Sequence, residues 1–184
     1  MARPHILIAG IGNIFLGDDA FGVEVAQLLA RRSHPTGVNV VDYGIRGFDL
    51  AYAILDQPKL TIMVDAMPRG EPPGTLYVIE PDLDEILQAS PPTLDAHTMT
   101  PVHVLRLVKT LGGEPGRILV VGCEPATLES EDGQIGLSAP VHAAAIEAVS
   151  LIESLVATLL AASAEPSDSA APLAATAQPN YNVV

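Results

Sequence analysis

Acidic residues stand where three apolar runs of the chain end. The first run, HILIA, leads into GIGNIFLGDDAFG, Gly10 to Gly22, which carries Asp18 and Asp19. VNVVD ends in Asp42 and LTIMVD ends in Asp65. In a parallel sheet, ligands bind in the loops that leave the carboxyl ends of the strands. A glycine-spaced turn after a first strand usually cradles phosphates. Here, however, Phe15 stands where the third glycine of G-x-G-x-x-G belongs, and no Gly-Lys-Ser/Thr follows. Carboxylates at the start of the next helix would also occupy the positive end that a pyrophosphate needs. The pattern argues against a nucleotide site, and with it a dinucleotide oxidoreductase. What such a cluster can hold is a cation.

Simpler roles compete with that reading. Asp18 or Asp19 could be a plain helix N-cap, and one carboxylate at a strand end could merely solvate its loop. Histidine decides how far to go. His5, His34, His103 and His142 fall at a strand start or on helices, where packing or surface roles suffice. His97 differs, because in LDAHTMTP it lies in a loop next to a helix start. Two carboxylates and an imidazole suit a borderline divalent metal such as nickel or zinc better than magnesium. Cys123 follows an apolar strand directly and reads as a small packed residue rather than a nucleophile.

The elements that must position these residues alternate along the chain. Strands are predicted at His5–Ala9, at VNVVD, at LTIMVD, at TLYVI and at RILVVG. Uninterrupted β-branched runs between helices indicate buried parallel strands. The loop AMPRGEPPG is too short and proline-rich for a crossover helix, so TLYVI is expected to run antiparallel to its neighbour. Helices are predicted over residues 20–33, 48–55, 82–88, from Pro101 behind an N-cap at Thr100, and from 139 to about 162. The expected fold is a three-layer α/β sandwich, with helices on both faces of a five-stranded, mostly parallel twisted sheet. It forms a single domain over residues 1–162. From residue 163 to 184 the composition turns to Ala, Ser, Pro and Thr, which predicts a tail without fixed structure.

Charge narrows the partners. Nine Lys and Arg stand against 22 Asp and Glu, a net charge of −13 over 184 residues. Such a surface repels nucleic acid and anionic membranes, whose binding rests on neutralising phosphates. No apolar run reads as long enough to cross a bilayer. One cysteine allows no internal disulfide, and MARPHILIAG lacks the long apolar region of a signal peptide. A cytoplasmic monomer is expected.

These segments together resemble the hydrogenase maturation endopeptidases, which remove a C-terminal peptide from the large subunit of nickel–iron hydrogenases. The opening loop is similar to that family's G-x-G-N-x-x-x-x-D-[DE] motif. VNVVDYGIRG is similar to its Asp-plus-glycine turn, TIMVDAM to its V-D-A segment and DAHTMTP to its histidine segment. VVGCEPATLESEDGQIGLSAPV resembles its closing G-x-x-P…G-L-S segment. The five run in the family's order from about Ile6 to Ala148.

The resemblance implies a five-stranded α/β sandwich and an endopeptidase of aspartyl type. It implies that Asp19, Asp65 and His97 bind metal, and that the nickel arrives already seated in the hydrogenase large-subunit precursor. The metal would then polarise the scissile carbonyl or activate water; alternatively a free carboxylate such as Asp42 would act as general base. Asp19 replaces a frequent Glu and is one methylene shorter. The turn after Asp42, often Gly-Gly-Thr, is Tyr43-Gly44-Ile45-Arg46-Gly47, so Arg46 is expected to influence partner choice. A non-catalytic chaperone that checks the nickel-loaded precursor would use the same ligands.

Overall fold

The computed structural model describes residues 5–88, 100–128, 135–164 and 182–183. Strands β1 (Ile6–Ile11), β2 (Val38–Gly44), β3 (Leu60–Ala66), β4 (Leu76–Ile79), β5 (Arg117–Cys123) and β6 (Asn182–Val183) form one sheet in the order β2-β1-β3-β5-β4-β6. β2, β1, β3 and β5 are parallel, and β4 runs antiparallel to β5, as its proline-rich approach predicts. The register sets Gly10 beside Asp42 and beside Val64, and Asp65 beside Gly122. The carboxyl ends of the four parallel strands therefore share one edge of the molecule.

Side chains alternate across the strands and feed two cores. On one face Ile6, Ile8, Ile62, Val64 and Val121 pack against helices α1 (Phe21–Ala30) and α5 (Ala139–Ala164). On the other, Leu7, Ala9, Ile11, Met63 and Val120 pack against α2 (Gly47–Leu55) and α4 (Pro101–Thr110). A shorter helix, α3 (Leu83–Gln88), adjoins α4. This is the three-layer sandwich that the alternating runs imply.

Four expectations change. β1 continues two residues past Ala9, because Gly10 and Ile11 keep the ladder with β2. Neither Asp18 nor Asp19 caps α1. Both lie in a short 3-10 turn, Gly17–Ala20, and the cap position is Ala20, which offers no side-chain acceptor. The tail does not begin at residue 163: α5 runs to Ala164, and β6 lies parallel to β4, pairing Asn182 with Tyr77 and Val183 with Val78. Past β5, β4 has a free edge whose unpaired backbone groups such a segment can satisfy. Finally, by length and composition Ala139–Ala162 could cross a bilayer. Here that helix instead packs as a core element, burying Val141, Ala145, Ala148, Val149 and Ile152 against the sheet and α1.

The turn between β1 and α1 depends on close backbone approach. A Cβ on Gly22 would fall inside contact distance of the backbone oxygens of Val64 and Ile11. The strands and helix would have to separate, so Gly22→Ala is expected to cost about 2 kcal/mol or more by the overpacking mechanism. Chemical denaturation of the two proteins checks this, and equal midpoints would contradict it.

Candidate active site

Four loops meet at the carboxyl edge of the sheet. The Gly12 N–H donates to Gly44 O (3.1 Å), tying the turn after β1 to the turn after β2. In the first turn the Asn13 backbone N–H donates to Asp19 Oδ2 (2.7 Å), and the Phe15 N–H donates to Asn13 Oδ1 (3.0 Å). Asp19 is thus held by its own loop, partly open to solvent. Burial raises its pKa, with the Asn13 bond opposing.

Asp65, at the end of β3, is only 4% exposed. Burial pushes its carboxyl well above the usual range, the negative charge of Asp19 pushes further, and the Ala66 N–H opposes both. A carboxylate whose ionisation is opposed both by burial and by a neighbouring negative charge is one that a bound cation would relieve. The resemblance pairs Asp19 with Asp65, and the structure brings these two together.

It does not bring Asp42 to them. Asp42 alternates with Val41 and Tyr43, which face α2, and its carboxylate accepts from Gln27 Nε2 of α1 (3.2 Å). Asp65 shares the parity of Met63, on the α2 and α4 face. Two strand spacings, roughly 10 Å, also separate β2 from β3. A general-base role for Asp42 has no support from this placement. His97 lies outside the described residues. Among the described residues, no three His, Cys, Asp and Glu side chains gather closely enough to hold a metal ion.

Arg46 is drawn into its own turn. Its guanidinium donates to the carbonyls of Tyr43 and Asp42, pairs with Asp49 (3.6 Å) and stacks over the Tyr43 ring. It braces the turn while its side chain stays 58% exposed. Cys123 is buried, and its thiol is pushed up to about 12 by burial, then by the charges of Asp18 and Glu124. A thiol so reluctant to ionise makes a poor nucleophile.

Two acids that the sequence reading did not assign as loop anchors organise the surroundings. Asp18 is fully buried and accepts from Ala126 N (2.8 Å), Thr127 N (3.3 Å), Ser138 N (2.7 Å) and Ser138 Oγ (2.9 Å). It clamps the chain on both sides of the β5–α5 loop beside Asp19. Glu124 accepts from Arg69 N (2.7 Å), Gly70 N (3.1 Å) and Tyr77 Oη (2.5 Å), and so fixes the loop that leaves Asp65. Burial works to raise the Glu124 pKa. Bonds from Tyr77 and the backbone N–H groups of Arg69, Gly70 and Glu71 outweigh it and hold the carboxyl below its ordinary value. The adjacency of two aspartates was the available signal: one serves the loops, the other faces Asp65.

Asp18→Ala would strand three backbone donors and a hydroxyl. These donors are only partly buried, so each costs toward the lower end of the range for a buried unsatisfied group, about 1–3 kcal/mol. The melting temperature is expected to fall by roughly 5 °C or more, at about 2–4 °C per kcal/mol for a chain this size. Thermal unfolding followed by circular dichroism measures it, and an unchanged midpoint would show that water replaces the clamp.

Comparison with known proteins finds relatives by sequence and by fold. Residues 23–155 match the family model described as hydrogenase maturation protease. The chain is 34% identical over 145 residues to the hydrogenase expression/formation protein HoxM of Azotobacter vinelandii, covering 78% of this chain and 68% of that protein. The hydrogenase 2 maturation peptidase from Thaumarchaeota archaeon SCGC_AB-539-E09 superposes with a TM-score of 0.63 at 30% identity, over 83% of this chain and 97% of its own. The hydrogenase maturating endopeptidase HybD from E. coli gives 0.66 at 25%, over 84% and 93%. By sequence and by fold, the chain belongs to the hydrogenase maturation protease family.

Proposed function

We propose that this chain is a cytoplasmic endopeptidase, active as a monomer, that removes the C-terminal extension of a nickel–iron hydrogenase large-subunit precursor, directed by the nickel that the precursor carries. The observation that carries this reading is the Asp19–Asp65 pair: burial raises both carboxyls and the charge of Asp19 raises Asp65 further, costs that a divalent cation would relieve. Carboxylate oxygens fit such an ion, and an imidazole would complete a set suited to nickel. His97 is the residue for that place. It stands three residues before Thr100, whose hydroxyl caps α4 by accepting from His103 N. A helix that feeds a parallel strand through a short connection runs back antiparallel to it, so α4 starts at the carboxyl edge, on the face that Asp65 shares.

The protein's residues then have separate tasks. Asp19 and Asp65 grip the cation and so register the scissile bond beside it. The loops anchored by Asp18 and Glu124 keep the two carboxylates in place. Bound there, nickel would supply Lewis acidity to the carbonyl or to an attacking water. Water adds across the C–N bond, leaving a new carboxyl terminus on the large subunit and a free amine on the released peptide. Incubation with nickel-loaded precursor, with the product weighed by mass spectrometry, tests this directly. A large subunit shortened at its C-terminus is expected, and an intact mass after prolonged incubation would leave only the chaperone reading.

A further inference from the structure

The chain is poor in aromatics, with three Phe, four Tyr and no Trp, yet two of the Phe are left in solvent at the carboxyl edge. Phe15 is 61% exposed and Phe48 62%. Ile14 and Leu16 flank Phe15 on the turn after β1, and all three are exposed. Ile45 lies on the turn after β2, and Phe48 and Tyr52 follow it on α2, one helical turn apart. The Gly12–Gly44 hydrogen bond joins the two turns, and the ladder pairs Ile11 with Gly44, so both groups rise from the same edge. Among the described residues nine large hydrophobics are exposed, and six of them are these. Scattered exposed hydrophobics need no explanation, but a cluster of this kind marks an interaction surface.

Its position says what it meets. Asn13, two residues before Phe15, holds the Asp19 carboxylate through its backbone N–H, so the apolar turn is continuous with the gripping loop. A polypeptide bound at Asp19 therefore has this turn as its neighbour. Its charge says more. Asp42 and Asp49 border the patch, and the one cation on these turns, Arg46, is already engaged with Asp49 and two carbonyls. With a net charge of −13 on the whole chain, a second copy would be repelled.

We propose that Ile14, Phe15, Leu16, Ile45, Phe48 and Tyr52 form a docking surface for an apolar segment of the protein substrate, bordered by basic residues, which seats the scissile bond at Asp19 and Asp65. This role depends on the processing activity proposed above. It adds a contact that is independent of the metal: the apolar surface binds precursor whether or not nickel is present.

The test compares the wild type, the double variant Phe15→Ser/Phe48→Ser and the control Ile146→Ser, an exposed α5 residue outside the patch, after unfolding curves confirm that each folds. Binding is measured with nickel-free precursor, and processing with nickel-loaded precursor. The double variant is expected to weaken binding and raise KM by about tenfold or more, the loss that removal of a central anchor side chain produces at an interface. The kcat should stay within about twofold, and the control should match the wild type. Binding by the wild type should also weaken as salt rises from about 0.05 to 0.5 M, as an acidic border facing basic residues requires. An unchanged KM and affinity in the double variant would overturn the docking role, as would equal losses in Ile146→Ser. A wild type that sediments as a dimer, and a double variant that sediments as a monomer, would assign the patch to self-association and overturn it too. A wild type that binds precursor through the patch but never cuts it would instead refute the processing reading and keep the docking one.

Discussion

Asp65→Asn is expected to abolish processing and, at the same time, to raise the melting temperature of the free protein. The two effects share one cause. Asp65 is buried beside Asp19, and its folded pKa lies well above its ordinary value of 3.8. A carboxyl raised in this way contributes stability that is fully present below the unfolded pKa and lost as pH rises through the folded one. At neutral pH its ionisation is therefore a cost that the amide does not carry. The advantage of Asp65→Asn should grow as pH rises above the ordinary carboxyl value and vanish under more acid conditions, with about 2–4 °C gained per kcal/mol. Processing should fail because the amide brings no charge to the cation. The loss should exceed the ten- to hundredfold range (about 10–100) typical of a residue that only supports a ligand. Asp19→Asn should lose processing similarly, with a smaller change in stability, because Asp19 is partly open to solvent. Differential scanning calorimetry across pH and single-turnover assays read the two effects. Full activity in Asp65→Asn would end the cation-gripping hypothesis, and a lowered melting temperature at neutral pH would show that the charge is compensated in the fold.

A precursor stripped of nickel should not be cut. Asp19, Asp65 and His97 would have nothing to grip, and the scissile bond would lose its registration even where the precursor still docks. The expected difference from the loaded precursor is at least about a hundredfold in rate, since correct placement of reacting groups alone is commonly worth several kcal/mol. His97→Ala should lose a comparable amount with loaded precursor. The free protein should also be purified largely without metal, because three ligands, one of them the short Asp19, make a weak site. Mass spectrometry of both precursors over a time course, with metal content measured alongside, reads all three outcomes. Equal cutting of loaded and stripped precursor would remove nickel from the mechanism and leave the carboxylates to act alone.

The reach and the limit of sequence can be seen in particular residues. Asp65 was visible because it ends an uninterrupted β-branched run, and such runs form buried parallel strands whose ends face one edge. The antiparallel direction of β4 was visible because its approach is too short and too rich in proline to cross back over the sheet. Thr100 was visible as a cap because Pro101 follows it, and its hydroxyl does accept from His103 N. In each case the cause is local: propensity, alternation and turn chemistry act over a few residues.

Asp18, Glu124, Asp42 and Arg46 show the other side. Asp18 accepts hydrogen bonds from residues more than a hundred positions away, and Glu124 from residues more than fifty away. No spacing along the chain announces such partners. Asp42 ends its strand much as Asp65 does, but alternation turns it to the α1 face, and which face matters was unknown before the layers were assembled. Arg46 is a long cation on an exposed turn, and only its placement shows that it is occupied by its own backbone and by Asp49. The sequence alone determined the class of fold and the edge at which its acidic strand ends gather. Only the tertiary structure decided which carboxylate faces which, because burial and electrostatic coupling are set by contacts between segments that are distant in sequence.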